Sequence, residues 1–191
     1  ISGGDMGFPN AMHVIDNPGD AYIWFGTNNF RVYYSKTSGI IWNNSQTLGN
    51  QFVISLTFIN TLMGFAGGQQ FAYRSTDGGI NWNQQPAYPG GGPFFSFANA
   101  GGFVWYARGN GIFYSTDNGN SFVPQHISPD NSPYMHLSFA FSPGDMSTIV
   151  GWGVTSNGVI SMYSLTSGIQ QIGTTIPDDF SLEQNYPNPF N

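Results

Sequence analysis

Ser75-Thr76-Asp77-Gly78-Gly79-Ile80-Asn81-Trp82 returns forty residues later as Ser115-Thr116-Asp117-Asn118-Gly119-Asn120-Ser121-Phe122. Forty residues before the first copy stands a worn version, Ser35-Lys36-Thr37-Ser38-Gly39-Ile40-Ile41-Trp42. A period of this size marks an array of one small unit, stacked so that neighbours bury faces a single unit cannot bury alone.

The residues around the motif give the unit its strands. In the third unit Phe94–Ala98, Phe103–Ala107, Gly111–Ser115 and Ser121–Pro124 read as four short strands, with Gly101-Gly102 and Gly109-Asn110-Gly111 at the hairpin turns. The second unit repeats this over 52–56, 62–66, 70–74 and 81–83. The first does so over 12–15, 21–26, 30–34 and Trp42, and the last over 136–140, 148–152, 159–163 and 169–172. Asn17-Pro18-Gly19-Asp20 and Ser142-Pro143-Gly144-Asp145 fall at the same place, between first and second strands. Four-stranded sheets at this spacing, with no helical period between them, predict propeller blades. The expected architecture is all-β: four antiparallel blades at about 10–50, 51–91, 92–130 and 131–176, forming part of a larger propeller. Residues 177–191 depart from the pattern.

Within the motif, Asp77 and Asp117 are placed to accept hydrogen bonds from the backbone N–H groups that follow. Gly79 and Gly119 supply the positive φ that closes the turn. Trp82 and Phe122 should pack back on the blade. Losing such a ring costs about 3–5 kcal/mol and losing the carboxylate about 0.5–2 kcal/mol, so the octad is a folding device first.

Composition narrows the function. Only 7% of residues are charged, the net charge is -6, and the basic residues are Arg31, Lys36, Arg74 and Arg108. Phosphate backbones need clustered cations, so nucleic acid is excluded as a partner. A surface of amides, hydroxyls and glycine has little charge repulsion to keep copies apart, which predicts a homo-oligomer or contacts with other surface proteins and glycans. Cysteine is absent, and no apolar run approaches the ~20 residues of a membrane span.

Ser-x-Asp-x-Gly-x-x-Trp resembles the Asp-box, or BNR repeat, of sialidase-like β-propellers. The box is complete at Ser75, Asp77, Gly79 and Trp82, and complete but for Phe122 at Ser115, Asp117 and Gly119. It is degraded at Ser35, Gly39 and Trp42, where Thr37 replaces the acid, and further degraded at Ser164 and Gly168. The resemblance implies a box on the blade periphery, away from any substrate site. Pro177–Asn191, with Phe180-Ser181-Leu182-Glu183-Gln184-Asn185-Tyr186-Pro187-Asn188-Pro189-Phe190-Asn191, resembles the start of the C-terminal sorting domain of type IX secretion cargo. That likeness implies contact with the type IX machinery and a place outside a Gram-negative cell or on its outer surface.

Chemistry is harder to find. Sialidases need three converging arginines; Arg31, Arg74 and Arg108 stand four, one and seven residues before their box serines, and Glu183 is the sole glutamate. Inverting glycosidases need two carboxyls about 6.5–9.5 Å apart, for which Asp5, Asp16, Asp20, Asp130 and Asp145 are available. His13 and His136 each follow a Met on a first strand and read as lining a central channel. No cofactor or metal is expected. Tyr88, Phe94, Phe95, Trp105 and Tyr106, around Gly90-Gly91-Gly92-Pro93, form a possible binding surface for sugar rings or a second subunit. The functional expectation is a non-catalytic surface module for adhesion, extracellular assembly or filament formation. The alternative is a fragment of a polysaccharide-active propeller glycosidase, and a third reading is an assembly-factor propeller.

Overall fold

The computed structural model describes residues 5–142, 145–164 and 168–173; the tail 177–191 lies outside them. Four sheets follow one another along the chain. The first holds β1 (Gly7–Asn17), β2 (Asp20–Thr27), β3 (Val32–Ser35) and β4 (Asn43–Asn44). The second holds β5 (Ser55–Phe58), β6 (Gly64–Gly67), β7 (Ala72–Ser75) and β8 (Asn83–Gln84). The third holds β9 (Phe94–Ala100), β10 (Phe103–Arg108), β11 (Gly111–Ser115) and β12 (Val123–Ile127), and the fourth β13 (Tyr134–Ser142), β14 (Asp145–Thr155), β15 (Ile160–Ser164) and β16 (Gly168–Gly173). Within each blade, successive strands pair antiparallel. One parallel contact between first strands, Asn10 opposite Ser55, joins blades one and two into a single eight-stranded sheet.

The strands differ from the sequence expectation mainly at their ends. β7 begins at Ala72 rather than Gln70, because the N–H groups of Gln70 and Phe71 both donate to Gln51 Oε1, at 3.0 Å, and so leave the ladder. β4, β8 and β12 start one residue after Trp42, Trp82 and Phe122. Trp82 and Phe122 are buried, turned into the seams between blades before pairing starts.

Each seam has its own apolar cluster, and each cluster is built on the second strands. Trp24 pairs with Tyr34, Phe65 with Arg74 and Trp105 with Tyr114, so all three stand one residue before the box serine in register. Their rings point to the next blade. Trp24 stacks on Phe58 and Trp105 on Phe139, both with centroids 3.9 Å apart. In each case the receiving phenylalanine lies opposite a glycine of its own blade, Phe58 with Gly64 and Phe139 with Gly151. A Cβ on Gly64 would sit 2.5 Å from the Phe58 ring, and one on Gly151 2.2 Å from Phe139. The bare glycines let the rings lie flat and reach across the seam. Between blades two and three Phe65 faces Phe97, with centroids 6.0 Å apart, and Asn99 adds a polar tie by donating to Thr57 Oγ1 (2.7 Å) and to the Phe58 carbonyl (3.0 Å).

The same register corrects one position. Tyr163 pairs with Gly151 as Ser75 pairs with Gly64. Ser164, aligned by sequence with the box serines, lies one residue beyond, opposite Val150 and Gly168. Tyr163, half-buried against Trp105 and Phe139, fills the seam where the other blades place a small hydroxyl.

Candidate functional site

Topology divides the molecule into two ends. The turns between first and second strands and the three boxes between third and fourth strands lie at one end. The turns between second and third strands, and the connections between blades, lie at the other.

At the box end the octads are closed hydrogen-bond circuits. Ser75 Oγ donates to Asp77 Oδ1 (2.9 Å) and accepts from the Gly79 N–H (2.9 Å), while Asp77 Oδ1 also accepts from the Asn81 N–H (2.9 Å). Ser115 and Asp117 repeat this with Gly119 and Ser121, at 2.7, 2.8 and 2.9 Å. In the worn copy the Gly39 N–H donates to Ser35 Oγ at 3.0 Å, and Thr37 Oγ1 takes the Ile41 N–H at 2.9 Å, one oxygen standing in for a carboxylate. Gly39, Gly79 and Gly119 all have positive φ, at 83°, 87° and 76°.

Electrostatics agree with a structural role. Partial burial pushes the Asp77 carboxyl up, but hydrogen bonds from Asn81, Ser75 and the Ile80 N–H outweigh it and hold the group below its ordinary value. Asp117 is held far below the carboxylate range by the Ser121 hydroxyl and N–H and by Ser115. Neither is a proton donor near neutral pH.

The other acids are also committed to turns or lie apart. Asp5 accepts from Tyr33 Oη (2.5 Å), and Asp20 from Ser38 Oγ (3.3 Å). Asp130 accepts from Ser128 Oγ (2.5 Å), from Ser132 Oγ (2.7 Å) and from the Ser132 N–H (3.1 Å). Those bonds depress it to about 2. Asp16 and Asp20, in the β1–β2 hairpin, sit at the box end, whereas Asp130, between blades three and four, sits at the opposite end.

The four first strands surround an axial cavity of about 220 Å³, lined among others by Asn10, His13, Asn99 and His136. Asn10 ties three blades together. Its Nδ2 donates to the carbonyls of Phe95 (2.7 Å) and Met135 (2.8 Å), so its Oδ1 is the acceptor facing His136 Nδ1 at 2.7 Å. His136 Nδ1 therefore carries the proton. Burial lowers the His13 pKa, and its ring lies beside Trp24 and Phe58. Both histidines line the channel; no cluster of three or more metal-binding side chains forms among the described residues.

The expected aromatic surface is corrected. Tyr88, Phe94, Trp105 and Tyr106 are buried, and Phe95 is half-buried. Their polar tips are satisfied inside: Tyr88 Oη donates to the Gly119 carbonyl, Tyr106 Oη to the Pro89 carbonyl and Trp105 Nε1 to Gln125 Oε1. Rings of this size, each with an internal acceptor, gain more from the seams than from solvent.

Other rings are exposed among the described residues, Phe52, Phe71, Phe141 and Trp152. Phe71, in the β6–β7 turn, is 43% exposed and lines two adjoining grooves of about 350 and 240 Å³ at the end opposite the boxes. Gln70 and Gln84 line both grooves, with Gln85 in the larger and Gln51 and Gln69 in the smaller. The paired amides Gln69-Gln70 and Gln84-Gln85 were the sequence signal for this surface.

No family model matches the chain. A xyloglucanase from Paenibacillus sp is 30% identical over 122 residues, which cover 58% of this chain and 12% of that protein. An ancestral GH74 enzyme superposes with a TM-score of 0.60 at 16% identity, covering 85% of this chain and 25% of its own. YCF48 bound to D1 peptide superposes at 0.58 and 18%, covering 91% and 57%. The GH74 xyloglucanase from Xanthomonas campestris does so at 0.53 and 14%, covering 83% and 29%. These likenesses establish the fold: the chain is a run of β-propeller blades. It spans about an eighth of the curated relative and a quarter to just over half of these structures.

Proposed function

We propose that this chain is a stretch of a polysaccharide-directed β-propeller of the glycoside-hydrolase kind, working outside the cell. The observation that carries the reading is the 30% identity to a xyloglucanase, with GH74 propellers among the structural neighbours. This favours the glycosidase alternative over a purely adhesive module. Asp77, Asp117 and Asp130 are held as carboxylates within turns, so the role assigned to this stretch is to bind and position a neutral glycan. Export through the tail at 177–191 belongs to the same reading.

The test is affinity electrophoresis of the chain through gels containing xyloglucan or mixed-linkage β-glucan, with reducing-end release assayed in parallel. Retardation by a neutral glucan is expected. Unchanged mobility in every polysaccharide, with no release of reducing ends, contradicts the reading.

Self-association is a second reading, favoured by the two end blades. Trp152, next to back-facing Gly151, points away from blade three and is 42% exposed, with Val154 exposed beside it; Met12 and Val14 are exposed on blade one. These are the faces that interior blades bury against one another, and light scattering on the same samples would show whether copies join through them.

A further inference from the structure

The grooves beside Phe71 combine an exposed ring with a backbone held from beneath. One buried side chain, Gln51, fixes the Gly68–Phe71 turn from below. Its Oε1 accepts the N–H groups of Gln70 and Phe71, and its Nε2 donates to the Phe71 carbonyl at 2.7 Å. Gly68 allows this approach, since a Cβ there would lie 2.4 Å from the Gln51 amide carbon. The turn is thus locked on both sides of Phe71 while its ring stands in solvent. A locked backbone beneath an exposed aromatic reduces the ordering cost that binding would otherwise incur.

The wall toward blade three is braced as well. Arg108 donates from Nε to the Gly92 carbonyl (2.9 Å) and from its terminal nitrogens to the carbonyls of Tyr88 (2.7 Å) and Gln70 (3.2 Å), and its guanidinium lies 4.4 Å from the centre of the Phe94 ring. These contacts occupy its donors in holding the wall, where the guanidinium keeps its positive charge. The remaining groove chemistry is neutral: side-chain amides, which both donate and accept, around the exposed Phe71 ring, with the buried rings of Tyr88 and Phe94 in the wall of the larger groove and Tyr73 in that of the smaller. A ligand matched to it carries many hydroxyls, an apolar C–H face and no net charge.

We propose that Phe71 and the glutamines beside it, Gln70 and Gln84 foremost, form a binding site for a neutral glycan chain, one sugar ring stacking on Phe71 and its neighbours occupying the two grooves. This rests on the polysaccharide reading above and gives it an address at the end opposite the boxes.

Affinity for xyloglucan and mixed-linkage β-glucan is to be measured by affinity electrophoresis and calorimetry for the unaltered chain, for Phe71→Ala, for Gln70→Ala combined with Gln84→Ala, and for Ile40→Ala, which removes an exposed apolar group at the box end. Alginate serves as the anionic comparison. Phe71→Ala is expected to weaken neutral-glucan binding at least tenfold, the double glutamine variant several-fold, and Ile40→Ala not at all, with alginate unbound throughout. If Phe71→Ala loses its fold, the double variant decides alone. A chain that binds glucan as well without Phe71 and these glutamines overturns the site but leaves the polysaccharide reading standing. A chain that binds no glucan overturns both, and preference for alginate overturns the neutral chemistry.

Discussion

Trp105→Ala is expected to destabilise the chain by about 3–5 kcal/mol, the range for removing a fully buried large aromatic. The ring is 1% exposed, stacks on Phe139 and meets Tyr163 at a tilt in the next blade, and donates its N–H to Gln125. Its removal leaves a void in the seam and strands the Gln125 oxygen. Urea unfolding followed by tryptophan fluorescence measures the effect, and the midpoint should fall with little change in slope. Trp152→Ala supplies an internal comparison, because Trp152 points forward from the same strand of blade four with no further described blade to cover it. In dilute solution it should cost less than about 1 kcal/mol. Equal losses at the two positions would mean that the seam is not what stabilises these blades.

Gly119→Ala should be nearly as damaging, for two separate reasons. At φ +76° a Cβ is strained by about 1–2 kcal/mol whatever its surroundings. That Cβ would also lie 2.3 Å from the Phe65 ring, which cannot retreat because it is wedged against Phe97 and Phe122. Overpacking of this kind adds about 1–3 kcal/mol. The expected total of about 2–5 kcal/mol can be checked against Gly102→Ala, where φ is +83° and nothing lies within 4 Å. That variant should show the backbone part alone. If the two melt together, the close approach of Phe65 to the box carries no weight.

Much of the fold was legible because the octad is a local device. Each circuit closes within seven residues, from Ser75 to Asn81 and from Ser115 to Ser121, so spacing alone placed the turns, the glycines and the strands on either side. What spacing could not reveal depends on partners far away in the chain. Tyr88, Phe94, Trp105 and Tyr106 suggested a surface because they crowd around a glycine-rich loop, yet neighbouring strands and the adjacent blade bury them. In blade four the sequence aligned Ser164 with the box, but β-register puts Tyr163 there, and no composition rule distinguishes adjacent residues of one strand. The clamp of Gln51 on the Phe71 turn joins positions twenty residues apart, and Asn10 bridges 126 residues to His136. Long-range amide contacts of this sort leave no periodic trace. The candidate glycan surface was therefore only partly read: Tyr88 and Phe94, which line its larger groove, were named, whereas Phe71 and the paired glutamines were not.

On the function proposed above, the aspartates of the octads shape the blades, while ligand chemistry belongs to the other end. Both Asp77 and Asp117 have folded-state pKa values below their unfolded ones, so their stabilisation is complete above about pH 4–5 and is lost as pH falls through the depressed values. The direct measurement is the thermal midpoint from pH 7 to pH 2 for the unaltered chain and for Asp77→Asn combined with Asp117→Asn. At pH 7 the variant should melt about 2–8 °C lower, by analogy with lost caps in a domain of this size. The gap should narrow progressively below about pH 4, where the unfolded chain's carboxylates take up protons first and the native ones only at their depressed values. Identical midpoints at pH 7, or glucan binding abolished in a variant of unchanged stability, would contradict the account.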